Sequence, residues 1–264
     1  MGKREVRKLL ETAADGRDFS RRGDAFFRIL GDGVLQVLKF EYEPCFTHYS
    51  LNVGLFSMYS ELRESWFTPS GCIPRYCVMN FAGKQNAIDV KIDENNIYTF
   101  NVISPEAQIQ TLEESAFPVL DSIRDQAQLV RQIAQLDIAS CETVRWNDME
   151  KLAPYLKSGD LKSAEKVLRA ILQQHQSVCS HSPLPEVVDS ICEEDRTLIQ
   201  KLEWVEREDW KAINAYLERN KERNNWFARH IRPRTARRFR PSETPGFCLC
   251  SRKVDFAAKS GYNK

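Results

Sequence analysis

The sequence predicts an α+β protein: an N-terminal antiparallel sheet with a covering helix, followed by a mainly α-helical C-terminal half and a flexible tail. Three observations predict it. Residues 25–59 alternate side-chain character on either side of Gly31-Asp32-Gly33, a turn composition that joins strands into a hairpin. After Ile103 the apolar spacing lengthens from two residues to between three and four. Beyond Arg232-Pro233 the composition turns to Arg, Pro, Ser and Gly with no apolar period. The implied division is a sheet unit over 1–103, a helical region over 104–231 and a basic tail over 232–264.

Residues 4–13 place Val6, Leu9 and Leu10 on one helical face, and Asp15-Gly16 ends that helix. Strands follow at 25–30 and 34–42. In the second of these Leu35, Val37 and Lys39 share one face while Gln36, Leu38 and Phe40 share the other. Large apolar groups on both faces mark a central strand. Residues 49–59 alternate again, with Leu51, Val53 and Leu55 opposite Asn52, Gly54 and Phe56. Shorter β-type runs occupy 73–79, 87–92 and 97–103, the last two flanking the turn composition Asp93-Glu94-Asn95-Asn96. Residues 60–71, with Trp66, Pro69 and Gly71, read as an irregular excursion.

Ser104-Pro105-Glu106 supplies an N-cap, a Pro suited to a first turn and an acid at the positive helix end. Pro118 is expected to interrupt that helix. Asp125-x-x-Gln128 resembles a capping box opening the next, and Asn147-x-x-Glu150 begins another, with a kink expected at Pro154. Gly159-Asp160 turns the chain into a helix lined by Leu161, Ala164, Val167, Leu168 and Leu172. That hairpin resembles one tetratricopeptide unit, yet no second copy follows at a fixed period. Residues 180–185 read as a linker. One or two helices then carry Leu198, Leu202 and Val205, and Trp210, Ile213 and Leu217.

The motifs Phe19-x-x-x-Gly23-x-x-Phe26-Phe27-Arg28, Gly31-Asp32-Gly33-Val34-x-Gln36-Val37 and Leu51-Asn52-Val53-Gly54-Leu55 resemble an uncharacterised bacterial family catalogued as domain of unknown function 4304. The likeness covers roughly the first 120 residues. It implies a bacterial, cytoplasmic α+β domain and brings no activity or site residue with it.

Charge is uneven along the chain. Thirty-eight Lys and Arg against thirty-seven Asp and Glu give a net charge of +1. Residues 221–240 hold Lys221, Arg223, Arg229, Arg232, Arg234, Arg237, Arg238 and Arg240 against Glu222 alone. The rest of the chain is correspondingly acidic. Arg229, Arg232, Arg234, Arg237, Arg238 and Arg240, interleaved with Trp226, Phe227 and Phe239, suit phosphate and base stacking, or an acidic protein partner. Pro233 and Pro241 exclude a continuous recognition helix there. The first residues are charged and amphipathic, unlike a secretory signal, and no apolar run reaches the roughly 18 residues of a membrane span. The eight cysteines are irregularly spaced and are read as reduced thiols in a cytoplasm.

Reactive constellations are weak. Cys72-x4-Cys77, Cys248-x-Cys250 and His175-x3-Cys179-x-His181 lack the paired short spacings of structural zinc, so no metal and no cofactor is expected. Cys45 and His48, three apart at a strand start, would face opposite sides. Of Trp204 and Trp210, six apart, one belongs to the core and the other is partly exposed. The expected function is a non-enzymatic intracellular protein-interaction module with a protein partner. One alternative is nucleic-acid binding through 221–240; the other is an uncharacterised enzyme with unknown catalytic residues.

Overall fold

The computed structural model describes residues 1–43, 47–62, 76–84, 87–92, 98–139, 148–181 and 184–229. The described residues all fall within one compact unit, Met1–Pro233, and the expected tail at 232–264 lies outside the described residues. The architecture is α+β. A five-stranded antiparallel sheet runs in chain order: β1 (Ser20–Arg22), β2 (Ala25–Leu30), β3 (Val34–Glu43), β4 (His48–Ser57) and β5 (Tyr76–Cys77).

β3 is the middle strand, which is why both its faces are apolar. Val34, Leu38 and Phe40 join Phe26 of β2 and Leu51, Val53 and Leu55 of β4 in the main core. Leu35 and Val37 turn the other way, onto Phe56 and Met58. The hairpin register Leu30↔Val34 leaves Gly31-Asp32-Gly33 as the loop, with positive φ at both glycines. A Cβ on Gly31 would stand 2.1 Å from the Arg124 carbonyl oxygen, which the neighbouring Asp32 N–H approaches at 3.2 Å. Glycine is required here for conformation and for space.

Residues 87–103 do not extend this sheet. Among the described residues β6 (Ile88–Ile92) and β7 (Tyr98–Val102) pair only with each other; their expected turn at 93–96 lies outside those residues. Of the run expected at 73–79, residues 73–75 lie outside the described residues, and the rest forms the short β5 and the start of a 3₁₀ turn, Val78–Ala82, closed by Gly83. Among the described residues β4 therefore has only the two-residue β5 beside it on that side. Gln108 fills the gap: its Oε1 accepts from the Leu51 N–H at 2.6 Å, and its Nε2 donates to the Tyr49 and Ile103 carbonyls at 2.8 and 2.9 Å. A side-chain amide thus satisfies backbone groups that a strand would otherwise have paired.

The first core face is covered by α1 (Lys3–Ala14), through Val6, Leu10, Ala13 and Ala14, and by a helical run further along the chain. That run comprises α2 (Pro105–Thr111), a π-helical turn (Leu112–Ala116) and α3 (Phe117–Ser122). The expected break at Pro118 does not occur. Proline lacks the N–H for an i−4 bond and its ring crowds that carbonyl; widening the preceding turn to π geometry relieves the conflict. α4 (Gln126–Ala139) then adds Leu129, Ile133 and Leu136, its first turn capped by Asp125 Oδ1, which accepts the Gln128 N–H at 2.8 Å.

Four helices complete the unit: α5 (Asp148–Ser158), α6 (Leu161–His181), α7 (Pro185–Glu206) and α8 (Trp210–Arg229). α5 runs through Pro154, and α6 continues over part of the expected linker. Gly159, at φ +81°, turns α5 into α6, and Asp160 Oδ1 caps the new helix through the Ser163 N–H at 3.0 Å. Leu152, Leu156, Leu168, Leu198, Ile213 and Leu217 form the second core, which Tyr59, two residues past β4, also enters.

Candidate functional site

The basic segment is largely outside the described residues. Arg229 closes α8, whereas Arg232, Arg234, Arg237, Arg238 and Arg240 lie beyond them. Cys45, Cys72, Cys248 and Cys250 are likewise outside. Of the His175, Cys179 and His181 set, the structure sends each member elsewhere. His175 Nδ1 lies 2.7 Å from Asp195 Oδ1, and His181 Nδ1 lies 2.7 Å from the Ser177 carbonyl. Cys179 turns toward Cys192. Among the described residues no three His, Cys, Asp or Glu side chains are placed to hold a metal ion.

Three polar assemblies were not foreseen. The first is a ladder on the second sheet face. The β3–β4 register sets Lys39 opposite Asn52, Glu41 opposite Ser50 and Glu43 opposite His48. Directly opposed residues share a face, so the apolar end at Leu35 and Phe56 passes into a polar end along the same strands. Lys39 is only 6% exposed, and its Nζ lies 3.3 Å from Glu41 Oε1. His48 Nε2 lies 3.0 Å from Ser50 Oγ. Burial pushes the His48 pKa down, with Glu43 opposing it. A neutral imidazole beside a hydroxyl can accept its proton, but acyl transfer also needs donors for an oxyanion. The adjacent Leu51 N–H is already taken by Gln108.

The second assembly is saturated and structural. Arg28, on β2, donates to Gln36 Oε1 at 2.9 Å, to the Arg17 carbonyl at 3.2 Å and to Asp121. Arg17 pairs with the other Asp121 oxygen at 2.9 Å, and Gln36 Nε2 reaches the Leu120 carbonyl at 2.7 Å. These bonds bolt α3 to the sheet.

The third assembly joins the sheet to the last two helices. Lys201, 3% exposed on α7, donates to Glu61 Oε1 at 2.7 Å and lies over the Tyr216 ring. Burial raises the Glu61 carboxyl, but the Lys201 hydrogen bond and charge, with the Tyr216 hydrogen bond and the Arg223 charge, outweigh it and hold the pKa below the usual range. Burial, reinforced by Glu61, pushes the Tyr216 hydroxyl well above its ordinary value. Nearby, the buried Tyr59 hydroxyl donates to Asp32 Oδ1 at 3.1 Å and accepts from Lys221 at 3.2 Å, with Lys157 over its ring. Asn220 donates to the Tyr59 carbonyl, and Asn224 to the Met58 and Ser60 carbonyls. The sequence signal for Lys201 is its phase: it falls on the stripe of Leu198, Leu202 and Val205.

The remaining feature is a helical arm. α6 and α7 pack along one seam, but past Ile171 and Leu198 the buried residues stop. From there toward the tip only Leu172, His175, Cys179, Val188, Ile191 and Asp195 among the nearby seam positions are even half-buried. Val178, Leu184 and Val187 are exposed by 41, 55 and 37%. Between Pro185 and Asp195, α7 carries Glu186, Asp189, Glu193, Glu194 and Asp195 with no basic residue. Neither tryptophan is in the core as expected of one of them: Trp204 is half-buried against Tyr216 at the edge of the second core, and Trp210 is exposed. No helix among the described residues is long and apolar enough to cross a membrane. No family model, no curated protein and no solved structure matches this chain.

Proposed function

We propose that this chain is a non-enzymatic, intracellular protein-interaction module of the bacterial family that its first 120 or so residues resemble. The observation that carries the reading is the arm: two long helices whose distal halves share one seam and present Val178, Leu184 and Val187 to solvent. Apolar side chains on a projecting helical pair are anchors for a partner surface. The run of carboxylates on the first half of α7 fits a partner that is basic around an apolar centre.

The test is capture from the native host with the full chain and with a Val178→Glu, Val187→Glu double variant. A stoichiometric partner held by the wild type and released by the variant supports the reading. Identical capture by both, or no partner for either, overturns it.

A second reading rests on the charge of residues 221–240, whose arginines Arg229, Arg232, Arg234, Arg237, Arg238 and Arg240 suit a nucleic-acid backbone. It predicts retardation of RNA or DNA that weakens steeply with salt and disappears when the chain is cut after Arg229. Retention after the cut would sink it.

A further inference from the structure

The arm carries a pair of thiols that the docking reading does not use. α6 and α7 run antiparallel, and the His175–Asp195 contact at 2.7 Å marks where they face each other. Cys179 lies four residues beyond His175 on α6, and Cys192 lies three residues before Asp195 on α7. Steps of three and four residues keep to one helical face, and both lead toward the same end of the hairpin. The two cysteines therefore meet one turn beyond the His175–Asp195 contact, with Cys192 close enough to act on the Cys179 thiol. Both are free, Cys192 exposed and Cys179 half-buried, so an oxidant in solution reaches the pair. Cysteine is also small enough to let the two backbones approach, as a disulfide demands.

We propose that Cys179 and Cys192 form a reversible dithiol–disulfide staple across the arm, oxidised by a hydroperoxide. The exposed Cys192 thiolate attacks one oxygen of hydrogen peroxide. The O–O bond breaks, a sulfenic acid forms on Cys192, and the leaving hydroxide takes up a proton as water. The Cys179 sulfur then attacks the Cys192 sulfur. The S–S bond forms, the S–O bond breaks, and hydroxide departs with the Cys179 proton as a second water. Two thiols thus give two electrons and two protons to one peroxide. Burial, together with the neighbouring Cys192 and Asp195, raises the Cys179 pKa, which suits a thiol that waits for the sulfenic acid. A dithiol reductant returns both thiols.

The staple closes the hairpin at the end where its core stops, and its effect is to restrain the two helices from parting. It does not depend on what the arm binds: failure of partner capture would leave it intact. The test uses the full chain, treated with hydrogen peroxide, quenched, alkylated and mapped without reduction. The expected result is a peptide pair joined through Cys179 and Cys192, lighter by two hydrogens and lost after dithiothreitol. Backbone amides over 173–196 should exchange more slowly in the oxidised wild type, with no such slowing in Cys192→Ser. The proposal is overturned if both thiols remain open to alkylation, if either is oxidised further or bridged to another cysteine, or if exchange over the arm is unchanged by the bond.

Discussion

At Gly31 the loop has no room for a side chain. A methyl group there would meet the Arg124 carbonyl oxygen at 2.1 Å while φ stays at +39°. Gly31→Ala is expected to cost about 2 kcal/mol or more, a fall of roughly 4–8 °C in Tm for a chain of this size; a thermal melt checks it. His48 makes a pH prediction. Its folded pKa is depressed by burial, so it favours the fold while neutral. That contribution is complete above the unfolded value of about 6.5 and is lost as pH falls through that value toward the folded one. Tm should therefore fall below about pH 6.5, and His48→Gln should flatten that part of the profile. Glu61 acts lower on the scale. With its pKa held down by Lys201, it supports the fold above the ordinary carboxylate range and ceases to do so as acid protonates it. Glu61→Gln strands a buried ammonium and should cost about 1–3 kcal/mol, whereas Lys201→Met keeps the apolar stem and should cost less. Paired denaturant melts decide the order.

At the scale of elements, β3 was legible because a strand covered on both sides must be apolar on both, as Leu35, Val37, Leu38 and Phe40 are. The hairpin glycines, the Ser104 and Asp125 caps and the Gly159 turn were legible for the same local reason. Pro118 was misread because its conflict is with one carbonyl, and a single widened turn disposes of it without breaking the helix. The fate of residues 87–103 was also hidden: alternation identifies strands and says nothing of which sheet accepts them. The arm makes the prediction at this level. Amides over 173–196 have few buried contacts above them and should exchange faster than those over 161–171 and 198–205, as hydrogen-exchange mass spectrometry will show.

For the whole molecule, the polar assemblies that tie the helices to the sheet were beyond periodicity because their partners lie far apart in the chain. Gln36 meets Leu120, Lys201 meets Glu61, and Asn224 meets Met58 and Ser60. Nothing near Lys201 or Asn224 in sequence announces such a partner. Asn224→Ala would take the donor from the buried Met58 carbonyl, while the Ser60 carbonyl keeps the Leu62 N–H at 2.9 Å; the loss is about 1–3 kcal/mol. Circular dichroism and tryptophan fluorescence should still report one coincident transition, lowered together, since β4 feeds both layers. Separate transitions would show that the layers unfold independently.

β4 threads through every apolar cluster: Leu55 belongs to the main core, Phe56 to the opposite face, and Tyr59, just past its end, to the helical bundle. The sheet is therefore not a portable cassette. A fragment ending after the last strand would strip Tyr59, Met58 and Ser60 of their lids, and a gene fusion cut there should yield sticky, insoluble product.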